Sequence, residues 1–154
     1  TVAKEVVSFT SAATRAIHAQ SLQISQAQAQ IKQTFDVQEV SFTSLYLDSI
    51  INHLLYNALR YRDQAKSLQI ELRSYINDNG CVVFECQDNG LGMDLDTYGH
   101  KLFNLYATFH PELSARGVGL FLIKTQIESL GGDITVSSQL GEGTLFQVTF
   151  KKED

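Results

Sequence analysis

Glycine is missing from the first half of this chain: all ten glycines lie at or beyond Gly80, and the single proline is Pro111. A backbone without those two breakers before Gly80 is expected to be regular and helix-rich, with the unusual backbone conformations gathered in the second half. No apolar run approaches the roughly 18 residues a membrane span needs. No basic leader followed by an apolar stretch opens the chain, so no secretory signal is expected. Cationic residues are few, 12 Lys and Arg against 17 Asp and Glu, for a formal net charge of −5. With no basic stripe to offset that charge, nucleic acid is not an expected partner. Cysteine is limited to Cys81 and Cys86. An odd separation on one predicted strand sends their side chains to opposite faces, which argues against a disulfide or a shared metal and for a reducing, cytoplasmic compartment. The chain starts at Thr1 rather than Met, as expected of a piece of a longer polypeptide that can itself be membrane-anchored.

What is present fits one globular domain: 154 residues, 44% hydrophobic and 19% charged, enough for a real core. Residues 2–28 predict one long helix, with Val2, Val6, Phe9, Ala13, Ile17 and Ile24 at helical spacing. Short strands are expected at 31–35 and 39–42. Ser44 is expected to cap a second helix to about Arg62, whose apolar set is Leu47, Ile50, Ile51, Leu54, Leu55 and Ala58. Leu68, Ile70, Leu72 and Ile76 then alternate, Asn77-Asp78-Asn79-Gly80 reads as a hairpin turn, and Val82, Phe84 and Cys86 return on a strand ending at Asp88. Residues 94–116 have no clear period. A helix with Leu120, Ile123, Ile127 and Leu130 on one face stops at Gly131-Gly132, and two last strands flank Gly141-Glu142-Gly143.

Three groups of residues carry chemistry. Asp88-Asn89-Gly90-Leu91-Gly92-Met93 puts a carboxylate at a strand tip, where it can accept a hydrogen bond from the exocyclic amine of adenine and reject the carbonyl of guanine. Gly90 and Gly92 are expected to let the backbone pass close to a base and adopt φ > 0. Gly117-Val118-Gly119-Leu120 opens a helix, whose first N–H groups lack partners and whose dipole favours anions. On the second helix His53, Asn57, Arg60 and Tyr61 fall on one stripe. There the Asn57 carbonyl oxygen can serve Mg²⁺, which takes oxygen ligands and keeps water and phosphate in its shell, and Arg60 can pair with phosphate oxygens. Each group alone has a plainer reading: a solvent-facing helix edge, an Asp-Asn-Gly turn, a helix-opening Gly-x-Gly. Neither a P-loop nor a Rossmann glycine fingerprint is present, and the glycines fall where an EF-hand needs carboxylates.

In order, His53–Tyr61, Asp88–Met93 and Ala115–Leu120 closely resemble the N, G1 and G2 boxes of the catalytic domain of sensor histidine kinases, in the ATPase superfamily shared with gyrase, Hsp90 and MutL. Lys101–His110 resembles the F box between them, and the run from Gly117 to Phe146 is similar to the kinase branch almost throughout. The resemblance covers about residues 40–150. It implies the Bergerat ATP-binding fold, an α/β (α+β) two-layer sandwich with a mixed sheet of about five strands, helices on one face and an ATP lid. It implies Mg²⁺ on Asn57, adenine read by Asp88 with support from Thr144, and Tyr61 packing near the nucleotide. Gly90, Gly92 and Met93 would shape the base pocket, Gly117, Val118, Gly119 and Leu120 the lid and phosphate side, and Phe103 and Phe109 would anchor the lid.

The implied activity is protein-histidine kinase: Mg·ATP donates its γ-phosphoryl group, with Asn57 and Arg60 as catalytic residues, to a histidine on a separate dimerisation domain, with a response regulator downstream. The acceptor itself is absent, because His18 lacks the acidic residue and the proline that follow it in the family. A monomer is therefore expected. Two departures stand out: His53 where the family usually has Asn, and Ala115 where it often has Gly. They leave open a non-catalytic nucleotide-binding or protein-interaction module of the same fold. A gyrase-like ATPase clamp needs a catalytic Glu early in the N box, and none is present.

Overall fold

The computed structural model describes residues 3–104 and 119–153. In chain order its elements are β1 (Glu5–Ser8), α1 (Phe9–Ala19), α2 (Ser21–Ala27), β2 (Gln30–Phe35), β3 (Glu39–Phe42), α3 (Ser44–Arg60), β4 (Gln69–Ile76) and β5 (Val82–Asp88). There follow the short α4 (Leu95–Tyr98) and a 3-10 turn (Gly99–Lys101), then α5 (Gly119–Ser129), β6 (Asp133–Gln139) and β7 (Gly143–Thr149). Five strands form one sheet in the order β2-β4-β5-β7-β6. Only the β2–β4 pair is parallel, so the sheet is mixed, and the α/β sandwich expected from the sequence is the fold.

The alternation along β4, β5 and β7 sends Ile70, Leu72, Phe84, Cys86, Phe146 and Val148 to one face. There they meet Leu47, Ile50, Ile51, Leu54 and Leu55 of α3 and Ile123 and Ile127 of α5, all buried. Each such side chain removed from water stabilises the fold by about 1.5–3 kcal/mol before ordering costs. The Asn-Gly turn fixes the register. Asn77 Oδ1 accepts hydrogen bonds from the backbone N–H groups of Asn79 and Cys81, and Gly80 sits at φ 81°. Ile76 then faces Val82 and Ile70 faces Asp88. A slip of one residue would turn the apolar face of β5 outward, so this turn also places Asp88.

The single helix expected at 2–28 is not formed. Residues 5–8 pair antiparallel with 39–42 in a separate two-stranded sheet. Ser8 then caps α1, its Oγ accepting from Ser11 N–H at 3.1 Å, and the helical run breaks at Gln20 before α2. Cross-strand pairing with β3 outweighs the helical spacing of Val6 and Phe9. The α1 side chains Phe9, Ala12, Ala13 and Ala16 are fully buried in the common core, so the N-terminal segment belongs to the same body. Two boundaries also shift: Thr43, not Ser44, precedes α3 and makes no side-chain capping bond, and α3 ends at Arg60.

The other sheet face is polar but not uniformly wet. Glu85, buried there at 6% exposure, accepts hydrogen bonds from Arg73 Nε at 2.9 Å, Tyr75 Oη at 2.7 Å and Gln147 Nε2 at 2.6 Å. Cys81 and Cys86 are both free thiols. Among the described residues no helix is long and apolar enough to cross a membrane.

Candidate functional site

The end of β5 is where three elements converge. Asp88 is paired with Thr144 of β7, and its carboxylate accepts hydrogen bonds from the backbone N–H groups of Gly90, at 2.8 Å, and Thr144. Burial nevertheless dominates and pushes the carboxyl up from 3.8 to about 6, against the pull of those two N–H groups. Its neighbour Asn89 is a strap: Oδ1 accepts from Gln69 N–H at 2.8 Å and Nδ2 donates to the Ser67 carbonyl at 2.9 Å. Asp-Asn-Gly is therefore a turn and a presented carboxylate together.

The loop after Asp88 is held on both sides. Leu91 N–H donates to the Tyr61 carbonyl at 2.9 Å, and Gly141 N–H donates to the Leu91 carbonyl at 2.7 Å. A Cβ on Gly90 would stand 2.7 Å from the Tyr61 carbonyl oxygen, and one on Gly92 would collide with the Gln139 carbonyl. Gly92 has φ 70° as expected, but Gly90 is not in the left-handed region. Gly90 is required by its close approach to the end of α3, not by its dihedral.

Asn57, Tyr61, Asp88, Gly92, Met93, Thr144 and Phe146 line one cleft. Its free space is about 10 Å³, close to that of a single water, so its walls stand closer together than a purine requires. Phe146 forms the apolar wall and carries Phe103 edge-on at 6.5 Å between ring centroids. The Lys124 ammonium lies 5.6 Å from the centroid of the Phe103 ring. Phe103 is thus anchored beside the cleft, whereas Phe109, His110, Ala115, Gly117 and Val118 lie outside the described residues.

On α3, Asn57 presents its amide to the cleft, and Arg60 one turn further has a buried Nε that lacks a hydrogen-bond partner among the described residues. The residues that line the cleft include Asn57 but not Arg60. No group of three or more His, Cys, Asp or Glu side chains that could hold a metal ion occurs among the described residues. One turn earlier, His53 Nδ1 lies 2.7 Å from the Ser49 carbonyl oxygen. A carbonyl only accepts, so Nδ1 carries a proton. The ring edge is then packed against Gly119, the first residue of α5. The Leu120 side chain is buried in the core, so only its backbone is left to face an anion.

Three contributors are absent from the site residues expected from sequence. Phe146 had a signal, as the aromatic that closes the kinase-like run from Gly117 to Phe146. Asn89 and Ser138 had none, because each acts through hydrogen bonds to other segments, Asn89 with Ser67 and Gln69 and Ser138 with Met93, Gly143 and Thr144.

Known proteins resemble this chain in sequence and in fold. Residues 43–154 match the family described as histidine kinase-, DNA gyrase B-, and HSP90-like ATPase. The chain is 31% identical over 121 residues to the autoinducer 2 sensor kinase/phosphatase LuxQ of Vibrio parahaemolyticus, covering 75% of this chain and 14% of that protein. It is 35% identical over 122 residues to the sensor protein BceS of Halalkalibacterium halodurans, covering 77% of this chain and 35% of that one. The chain thus spans a minor part of the curated relatives it matches. Among solved structures, the mycobacterial sensor histidine kinase MprB superposes with a TM-score of 0.81 at 19% identity, covering 95% of this chain and 97% of that one. Full-length ShkA, solved in complex with AMPPNP, superposes with a TM-score of 0.82 at 18% identity over 97% of this chain and 31% of its own. A mixed sheet ending in Asp88, an amide-bearing helix across the cleft and a family match over residues 43–154 agree: this chain belongs to the histidine kinase-, gyrase B- and HSP90-like ATPases, in the branch of the sensor histidine kinases.

Proposed function

We propose that this domain binds Mg·ATP in the cleft between α3 and the β5 tip and presents the γ-phosphoryl group to a histidine on a separate domain of its parent protein, with a response regulator downstream. The observation that carries this reading is the meeting of Asn57, Asp88 and Thr144, from three separate elements, around one cleft. Asp88 would accept from the adenine amine, and Thr144 would support the same edge. Tyr61, Gly90, Gly92 and Met93 would bound the base, and Met93, an unbranched thioether with several rotatable bonds, is the wall residue best able to move aside for it.

Asn57 would hold Mg²⁺ through its amide oxygen, and Arg60 would donate to phosphate oxygens. Mg²⁺, when bound, would neutralise phosphate charge. Gly119 and the Leu120 backbone, with Gly117 and Val118 before them, would offer N–H groups to the phosphates. Catalysis would come from positioning and charge neutralisation, with no general base supplied by these residues. The domain would act as a monomer and meet its acceptor in trans or within the parent.

Titration of the domain with ATP, with and without Mg²⁺, followed by addition of the parent's acceptor domain and γ-labelled ATP, tests both steps. Saturable binding and label on a histidine are expected. No binding at millimolar ATP would refute the first step, and binding without transfer would favour a regulatory module.

A further inference from the structure

Ser138, the penultimate residue of β6, faces Thr144 across the β6–β7 hairpin. Its single hydroxyl touches three groups. Met93 N–H donates to Ser138 Oγ at 2.9 Å, the Gly143 carbonyl oxygen lies 2.8 Å away, and Thr144 Oγ1 lies 2.9 Å away. Only one assignment of protons satisfies all three. The Met93 amide can only donate and the Gly143 carbonyl can only accept. If Ser138 gave its proton to Thr144, its oxygen and that of Gly143 would face each other at 2.8 Å with no proton between them. Ser138 therefore donates to Gly143, and Thr144 must donate to Ser138. The Thr144 hydroxyl proton is then committed, and Oγ1 has only lone pairs to offer a ligand in the cleft that Thr144 lines.

We infer that Ser138 is a specificity-determining positioning residue: by accepting the Thr144 proton it makes Thr144 an obligate acceptor, so that the cleft favours a purine bearing a 6-amino group over one bearing a 6-oxo group. The inference rests on the cleft being the purine site. A 6-amino group has protons to give to Thr144 and to the Asp88 carboxylate. A 6-oxo group would set its own lone pairs against theirs, and an unmatched polar pair in a half-buried site is penalised more than a matched one is rewarded. Ser138 also holds the Met93 backbone, so loop and specificity are set from one hydroxyl.

The test compares ATP and inosine triphosphate affinities for wild type, Ser138→Ala, Ser138→Thr, Thr144→Val and the Ser138→Ala/Thr144→Val double variant. In Ser138→Ala the Thr144 hydroxyl is free to rotate and donate, so preference for ATP over inosine triphosphate should fall by roughly tenfold, the size of one hydrogen bond, largely through better inosine triphosphate binding. Ser138→Thr, which keeps the hydroxyl, should restore the preference. Thr144→Val should weaken ATP more than inosine triphosphate, and adding Ser138→Ala to it should leave the ratio alone. A ratio unchanged in Ser138→Ala, or both nucleotides weakened equally, would overturn the inference while leaving the nucleotide site intact. If Ser138→Ala does not fold, the Thr144→Val ratio decides. Wild type binding neither triphosphate would overturn the underlying reading, and the inference with it.

Discussion

The imidazole of His53 stands where a side chain on Gly119 would have to go: a Cβ there would lie 2.5 Å from His53 Cδ2, with the next ring atoms at 3.4 Å. The residue that departs from the usual N-box pattern and the glycine that opens α5 are thus complementary. The ring is pinned by its Nδ1–H bond to the Ser49 carbonyl and cannot swing aside without breaking it.

Gly119→Ala should therefore destabilise the domain by about 1–3 kcal/mol, the usual cost of overpacking. In a His53→Ala background the same change should be neutral or stabilising, because alanine outranks glycine in a helix by about 1 kcal/mol. Urea denaturation of the four proteins gives the coupling energy directly. A coupling near zero would mean that the ring yields freely and that Gly119 is kept for its backbone alone.

Asp88 should set two opposite pH dependences. Its carboxyl is raised from 3.8 to about 6, chiefly by burial, so the folded state holds the proton more tightly than the unfolded chain. Stability from this group is full below about pH 4 and declines as pH rises through about 6. ATP affinity should run the other way, falling as pH drops through about 6, because the ionised carboxylate is the stronger acceptor. Asp88→Asn keeps an oxygen for the Gly90 and Thr144 N–H groups. At pH 7.5 it should raise stability by on the order of 1–2 kcal/mol after allowance for solvent screening and weaken ATP by on the order of 1–3 kcal/mol. Melts and calorimetric titrations between pH 5 and pH 8 read both trends. Unchanged ATP affinity in the variant would remove Asp88 from base recognition.

Asn57 gives a narrower expectation. Asn57→Ala should reduce ATP affinity measured with Mg²⁺ by on the order of tenfold or more and leave affinity measured in chelator nearly unchanged. Binding isotherms under the two conditions check it. If Mg²⁺ still strengthens binding by the wild-type factor, the ligand lies elsewhere.

How much of this was legible in the sequence depends on whether a feature was local. The β4–β5 hairpin could be read because the Asn-Gly turn and the alternation of Ile70, Leu72, Phe84 and Cys86 are set within a few residues of each other. Asp88 could be placed at a strand tip for the same reason. β1 could not, since Val6 and Val7 become a strand only by pairing with Ser41 and Val40. Their spacing equally suits a helix, and the Ser8 cap marks the true start. Motif order identified which residue types meet around the cleft, but not the distance between its walls. The reason for Gly90 was misread because a collision with the Tyr61 carbonyl depends on where α3 ends. Ser138 was invisible because its three partners come from two other segments of the chain.

Glu85 is the second carboxylate on β5, and its environment reverses the sign found at Asp88. Burial pushes it up, but hydrogen bonds from Tyr75, Gln147 and Arg73 and the Arg73 charge outweigh that and hold it below its usual range. Its contribution to stability is present above about pH 4.5 and is lost as pH falls through the depressed folded value. Arg73 bridges Glu71 and Glu85 at 2.6 and 2.8 Å. Arg73→Leu leaves Glu85 buried with its hydroxyl and amide donors but no cation, and should cost on the order of 2–3 kcal/mol at pH 7. Adding Glu85→Gln removes the uncompensated charge and should recover part of that loss, although Glu85→Gln alone should be destabilising. The pH profile distinguishes this from lost packing: mild acid should narrow the gap between Arg73→Leu and wild type, because protonating Glu85 relieves the variant and deprives the wild type. A gap that stays constant from pH 7 to pH 4 would assign the cost to the arginine stem packing on the sheet.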